Sequence, residues 1–154
     1  MNTQATAGVI APPPLIYLAG LVIGLVASAL APRAIVPESL RYAVGIPLIA
    51  AAVVLMIWGV GTMRRAGTPV RPTDPTTALV TTGPFRFSRN PLYTSLTMLY
   101  AGIALAAQSL WALLLLVVVL AVMRRGVIDR EERYLEGKFG QDYLQYKMHV
   151  RRWI

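Results

Sequence analysis

The stretch Phe85–Ser95, FRFSRNPLYTS, sets Arg86, Arg89, Asn90, Pro91 and Tyr93 at the start of a long apolar run. Guanidinium groups this close in sequence can grip a carboxylate or a phosphate. Asn90 suits the residue before a helix, and Pro91 suits its first turn. A helix beginning there aims its free N–H groups and the positive end of its dipole at the same spot. The pattern offers an anion site. It serves equally as a capped helix start whose arginines mark the cytoplasmic edge of a membrane.

A second set lies in DREERYLEGKF, Asp129–Phe139. On a helix, Ile128, Glu132, Leu135 and Phe139 share one face, with Glu131 and Glu136 at its margins. A carboxylate in the middle of an apolar stripe is expensive unless it is paired or functional. Glu132 is therefore a candidate acid–base group, or the partner of an inward-facing arginine such as Arg89. A third set, Tyr143, Tyr146, Val150 and Trp153, forms an aromatic stripe at helical spacing. Such a stripe anchors a chain at the membrane interface, or it walls an adenine or a cationic sulfonium.

The elements that must hold these residues follow from composition. The chain has 154 residues, 56% hydrophobic and 14% charged, with a mean hydropathy of +0.56. Soluble domains carry about 25% charged residues, and here the charges are also clustered. Residues 1–32, 42–63 and 90–123 carry none, gaps that match the roughly 20 residues needed to cross hydrocarbon. The absence of cysteine excludes disulfides, thiolate nucleophiles and Cys-ligated metals. A single histidine, His149, argues against a His-built metal site or a Ser-His-Asp triad. The net charge of +8 is better explained by basic cytoplasmic loops than by nucleic-acid binding.

Four spans are expected: about Leu15–Ala31 behind the breaker Pro12-Pro13-Pro14, about Tyr42–Thr62, Pro91–Ala107, and about Leu110–Met123. The last two are short and form a hairpin around Gln108-Ser109. The chain divides into an N-terminal segment 1–14, helices 1 and 2 over 15–62, a loop over 63–90, the hairpin over 91–123, and an amphipathic tail over 124–154 that does not cross. Ala29-Leu30-Ala31 resembles a signal-peptide cleavage site, but no basic region precedes it and Pro32 follows, so the first span is expected to be retained. Gly20, Gly24 and Ser28 make a ridge of small residues suited to close helix contact. Loop 63–90 holds Arg64, Arg65, Arg71, Arg86 and Arg89 against Asp74, and the tail is also net basic. Both, with both termini, are therefore expected in the cytoplasm. The fold class is all-α, an integral membrane bundle with a cytoplasmic helical cap.

Residues 79–154 closely resemble the isoprenylcysteine carboxyl methyltransferase family and its bacterial relatives, with phospholipid methyltransferases more distant. The family pattern is an Arg-His-Pro-x-Tyr step, a two-span hairpin, Glu-Glu-x-x-Leu, Phe-Gly-x-x-Tyr-x-x-Tyr and a basic end. This chain supplies Arg89, Pro91 and Tyr93, then Glu131, Glu132 and Leu135, then Phe139, Gly140, Tyr143, Tyr146, Arg151 and Arg152. Asn90 stands where eukaryotic members carry His, which loosens the transfer of their substrate.

The resemblance implies an S-adenosylmethionine-dependent methyltransferase of the bacterial inner membrane. Its donor would sit between hairpin and tail, on the cytoplasmic side, without a metal. It implies catalytic roles for Glu132 and Arg89, and donor contacts from Arg86, Asn90, Pro91, Tyr93, Glu131, Leu135, Phe139, Tyr143 and Tyr146. The acceptor would be lipophilic and enter from the bilayer, with membrane lipids as partners and no nucleic acid. A carboxylate acceptor needs no base, whereas an amine or thiol must lose a proton. A phospholipid or amine N-methyltransferase, and a non-catalytic membrane scaffold, are the alternative readings.

Overall fold

The structure is a computed structural model and describes residues 6–153. Among these residues every regular element is helical: α1 (Pro13–Leu30), α2 (Glu38–Arg65), a 3₁₀ turn at Gly83–Arg86, α3 (Pro91–Ala106), α4 (Leu110–Met123), α5 (Asp129–Phe139) and α6 (Gln141–His149). Prolines at the start pre-set the backbone of α1 and α3. Glu38 in the first turn and Arg64 and Arg65 in the last turn of α2 complement its dipole.

Three helices are long and apolar enough to cross a membrane: Pro13–Leu30, Glu38–Arg65 and Leu110–Phe139, with Pro91–Ala106 a shorter apolar helix. The 28 residues of α2 reach about 42 Å at 1.5 Å per residue, so this helix outruns the hydrocarbon. The outward faces of α1, α2 and α4 are apolar, with Val22, Val26, Val54, Ile57, Val117 and Val118 exposed, as contact with lipid requires.

The fourth span differs from expectation at its end. The charge at Arg124 and Arg125 reads as the edge of a span, but the helix does not stop there. It continues through a π-helical turn at Arg124–Ile128 into α5. Such a wide turn inserts extra backbone and re-aims the faces beyond it. Arg124 and Arg125 point outward while Gly126, Val127 and Ile128 are buried. The Ile10 N–H donates to the Gly126 carbonyl at 3.2 Å, which lays the segment before α1 across this turn. The tail is thus a continuation of the membrane helix.

Helix α3 packs chiefly along α2, and α1 along α4. Small residues permit both contacts. A Cβ on Gly24 would lie 2.4 Å from the Ala112 Cα, and one on Gly45 would lie 2.9 Å from the Gly102 carbonyl oxygen. The Ser28 and Ser109 hydroxyls meet at 2.6 Å. The small-residue ridge on α1 is therefore used within the chain, against α4. Gly24→Ala should destabilise by about 1–3 kcal/mol through overpacking. Gly61→Ala, with nothing within 4 Å of its added Cβ, should be neutral or gain up to about 1 kcal/mol of helix propensity. Thermal unfolding in detergent reads both, and equal shifts would contradict the packing.

At one end, Gln108 closes the α3–α4 turn. Its amide oxygen accepts from the Ile35 and Val36 N–H groups at 3.0 and 3.2 Å, and its amide nitrogen donates to the Val36 carbonyl at 2.7 Å. That ties the α1–α2 connection to the hairpin. The 66–90 connection, α5 and α6 gather at the opposite end, so the long loop and the tail share one side, as the charge pattern predicts.

Candidate active site

At that opposite end a cavity opens between the C-terminus of α2, the loop Thr68–Val80, the N-terminus of α3, and α5 and α6. Its floor is the 88–91 step. The Asn90 N–H donates to the Ser88 hydroxyl at 3.1 Å, and Pro91 begins α3. Asn90 occupies the position before the helix, but its side chain does not cap it. Its amide nitrogen instead donates to the Arg152 carbonyl at 2.9 Å. The Leu92 and Tyr93 N–H groups, which have no intrahelical partners by position, stay uncapped at the cavity wall.

Arg89 is the cation in this floor. Its side chain is 9% exposed, and Nη1 lies 3.4 Å from the Glu132 carboxylate. The Nε and Nη1 atoms of Arg89 are nonetheless buried without a hydrogen-bond partner. Glu132 is buried, as its place in the apolar stripe predicts. Its main partner is Arg152, whose Nε and Nη2 donate to the two carboxylate oxygens at 3.0 and 2.7 Å. Arg152 also pairs with Asp129 at 3.0 Å. The hydrogen bond to Glu132 raises the Arg152 pKa further above its already high value, so Arg152 stays cationic throughout the physiological range. Glu136, at the stripe's other margin, pairs with Lys147 at the surface.

Glu131 is bound differently. The Tyr93 hydroxyl donates to it, 2.8 Å from each carboxylate oxygen. No ion pair holds it among the described residues, and it lines the cavity. From the other wall come Tyr143 and Tyr146. Burial pushes the Tyr143 hydroxyl up to about 12, against the opposing pull of the nearby Arg89 charge. Burial raises Tyr146 as well. Both phenols are therefore neutral donors at physiological pH. The Tyr146 hydroxyl donates to the Phe85 carbonyl at 2.7 Å, which pins α6 to the 3₁₀ turn.

The structure brings Arg89, Asn90, Pro91, Tyr93, Glu131, Glu132, Leu135, Tyr143 and Tyr146 into this one cavity. Arg86 and Phe139 do not line it. Arg86 ends the 3₁₀ turn with its side chain exposed, and Phe139 ends α5 beyond the cavity. The tyrosine stripe turns inward, so it does not serve as an interfacial anchor there, while Trp153 packs against the core. Sequence reasoning missed the roof: Met63, Thr68, Pro69, Val70, Arg71, Pro72, Thr76, Ala78, Leu79 and Val80. The Thr68 hydroxyl oxygen accepts from the Thr77 N–H at 3.1 Å, and the Thr76 N–H donates to the Tyr134 hydroxyl at 3.2 Å. These bonds fold the loop over the cavity. The proline and threonine richness of 68–77 was the available signal, but it names no residue.

Residues 40–142 match the phospholipid methyltransferase family. The chain belongs to that family. The match runs from α2 to the start of α6 and includes the 88–93 step and the Glu131-Glu132 pair. The family falls in the same superfamily of integral membrane methyltransferases as the isoprenylcysteine carboxyl methyltransferases. The chain is also similar to an uncharacterized protein of Haemophilus influenzae, 38% identical over 63 residues, which is 41% of this chain and the whole of that protein. No solved structure matches. Family membership and the span-length helices make this phospholipid methyltransferase relative a membrane methyltransferase.

Proposed function

We propose that this membrane methyltransferase takes its methyl group from S-adenosylmethionine held in the cavity, and passes it to a lipophilic acceptor that enters from the bilayer. The observation that carries the reading is Arg89, a buried guanidinium with two nitrogens lacking hydrogen-bond partners. Leaving such groups unsatisfied costs about 1–3 kcal/mol or more. Together with the uncapped N-terminus of α3, they suit a carboxylate such as the donor's amino-acid end. Tyr143, Tyr146 and Leu135 offer an aromatic and apolar wall for an adenosine. Met63, Leu79, Val80 and Leu92 give the cavity an apolar side for an acyl or prenyl chain.

When bound, the donor supplies an electrophilic methyl group on a sulfonium, transferred by in-line displacement as the carbon–sulfur bond breaks and S-adenosylhomocysteine leaves. The chain's part is to orient the two reactants and exclude water. The geometry favours Glu131 over Glu132 as a base, because Arg152 and Arg89 occupy both Glu132 oxygens. Glu131 also favours an amine acceptor, such as a phospholipid headgroup, over a carboxylate. A carboxylate held by a tyrosine hydroxyl can receive an ammonium group and take its proton, whereas it repels another anion.

Purified protein should melt higher in S-adenosylhomocysteine, by about 2.7 kcal/mol of stabilisation at a hundredfold excess over Kd. No shift at millimolar ligand would favour a scaffold instead. The basic residues around the cavity support a cytoplasmic placement for it. A cysteine placed at the exposed Thr73 should be labelled only after permeabilisation, since the chain has no native cysteine. Labelling from outside intact cells would reverse the orientation.

A further inference from the structure

We infer that Arg152, at the end of the chain, is a positioning residue that keeps Glu132 from closing over Arg89. This rests on the reading of the cavity as the donor's site. Arg89 and Glu132 face one another at 3.4 Å with side chains 9% and 7% exposed. Left to themselves, a buried guanidinium and carboxylate at this separation close into a two-pronged contact. Arg89 would then have little left for a ligand.

Arg152 prevents this by taking both Glu132 oxygens, at 3.0 and 2.7 Å, while its third nitrogen holds Asp129 at 3.0 Å. Arg89 keeps Nε and Nη1 buried without hydrogen-bond partners as a result, with Nη1 only in ion-pair range of Glu132. The backbone of the same segment fixes Arg152 in place. Its carbonyl accepts from the Ser88 hydroxyl at 3.3 Å and from the Asn90 amide at 2.9 Å, and the Arg89 N–H donates to the Arg151 carbonyl at 2.9 Å. An arginine that only marked the cytoplasmic side would need none of these contacts.

Titration calorimetry with S-adenosylhomocysteine on the detergent-solubilised protein tests this with Arg152→Gln and with the double variant Arg152→Gln/Glu132→Gln. The single variant should bind about 10- to 100-fold more weakly, the scale of a charged hydrogen bond. The double variant should recover most of the affinity, because the amide no longer competes for Arg89. A merely structural Arg152 predicts no such rescue. A single variant that binds like wild type, or a double variant no better than the single, overturns the inference.

A ligand-free readout separates its failure from that of the donor reading. In nitrogen-15 spectra the Arg89 Nε–H signal, assigned through Arg89→Lys, should move to a hydrogen-bonded position in Arg152→Gln. If wild type binds no S-adenosylhomocysteine, the donor reading falls and this signal decides alone. Movement supports the positioning role, and an unmoved signal overturns it.

Discussion

Glu132→Gln should lower stability by about 3–5 kcal/mol, the usual result of removing one partner from a buried ion pair. The glutamine keeps the shape and can accept one hydrogen bond. It cannot balance two guanidinium groups, and Arg152 and Arg89 both lean on this carboxylate. The tethers from the Arg151 and Arg152 carbonyls to the 88–90 step do not involve the carboxylate, so the start of α3 should keep its shape. Glu136→Gln is the control. That carboxylate pairs with Lys147 with its side chain 33% exposed, where such pairs contribute about 0–1 kcal/mol. Denaturant unfolding in detergent compares the two. A Glu132→Gln protein as stable as wild type would remove Glu132 from the centre of the ion-pair cluster.

Glu131→Gln has the largest expected effect on turnover. If Glu131 takes the acceptor's proton, kcat should fall by about 10²–10⁴-fold. Affinity for S-adenosylhomocysteine should change little, because in the proposed site the donor's carboxylate meets Arg89 and the α3 N-terminus rather than Glu131. Stability should also hold, since the amide can still accept from the Tyr93 hydroxyl. The same variant discriminates between acceptors. A carboxylate acceptor needs no base, so a nearly unchanged kcat would point back to carboxyl methylation. Single-turnover methylation of extracted lipids, measured beside ligand affinity, separates these outcomes.

The helices were legible because burial in lipid demands long uncharged runs, and α1 to α4 fall where those runs are. The joint between α4 and α5 was not legible. A π-helical turn carries no residue signature, and Arg124 and Arg125 look like the end of a span while they sit inside one continuous helix. In the site, the inward face of Glu132 followed from helical periodicity alone. Its partner did not. Arg152 reaches Glu132 only because α6 turns back at Gly140, whose φ of +52° favours glycine. The aromatic stripe was visible, but its direction was not, since periodicity cannot tell a lipid interface from a cavity wall. Glu131 was given a margin position and a place among the donor contacts. Its distinction from Glu132 rests on Tyr93, which lies on another helix and reaches it through packing.

The measurement that bears most directly on the cavity as the donor's site is photolabelling. Tritiated S-adenosylmethionine would be irradiated with the detergent-solubilised protein, and the labelled peptides mapped by mass spectrometry. Label should fall on the segment holding Tyr143 and Tyr146 or on Arg89–Tyr93, and excess S-adenosylhomocysteine should abolish it. Label that resists this competition, or that falls at the Gln108 end of the bundle, would contradict the account.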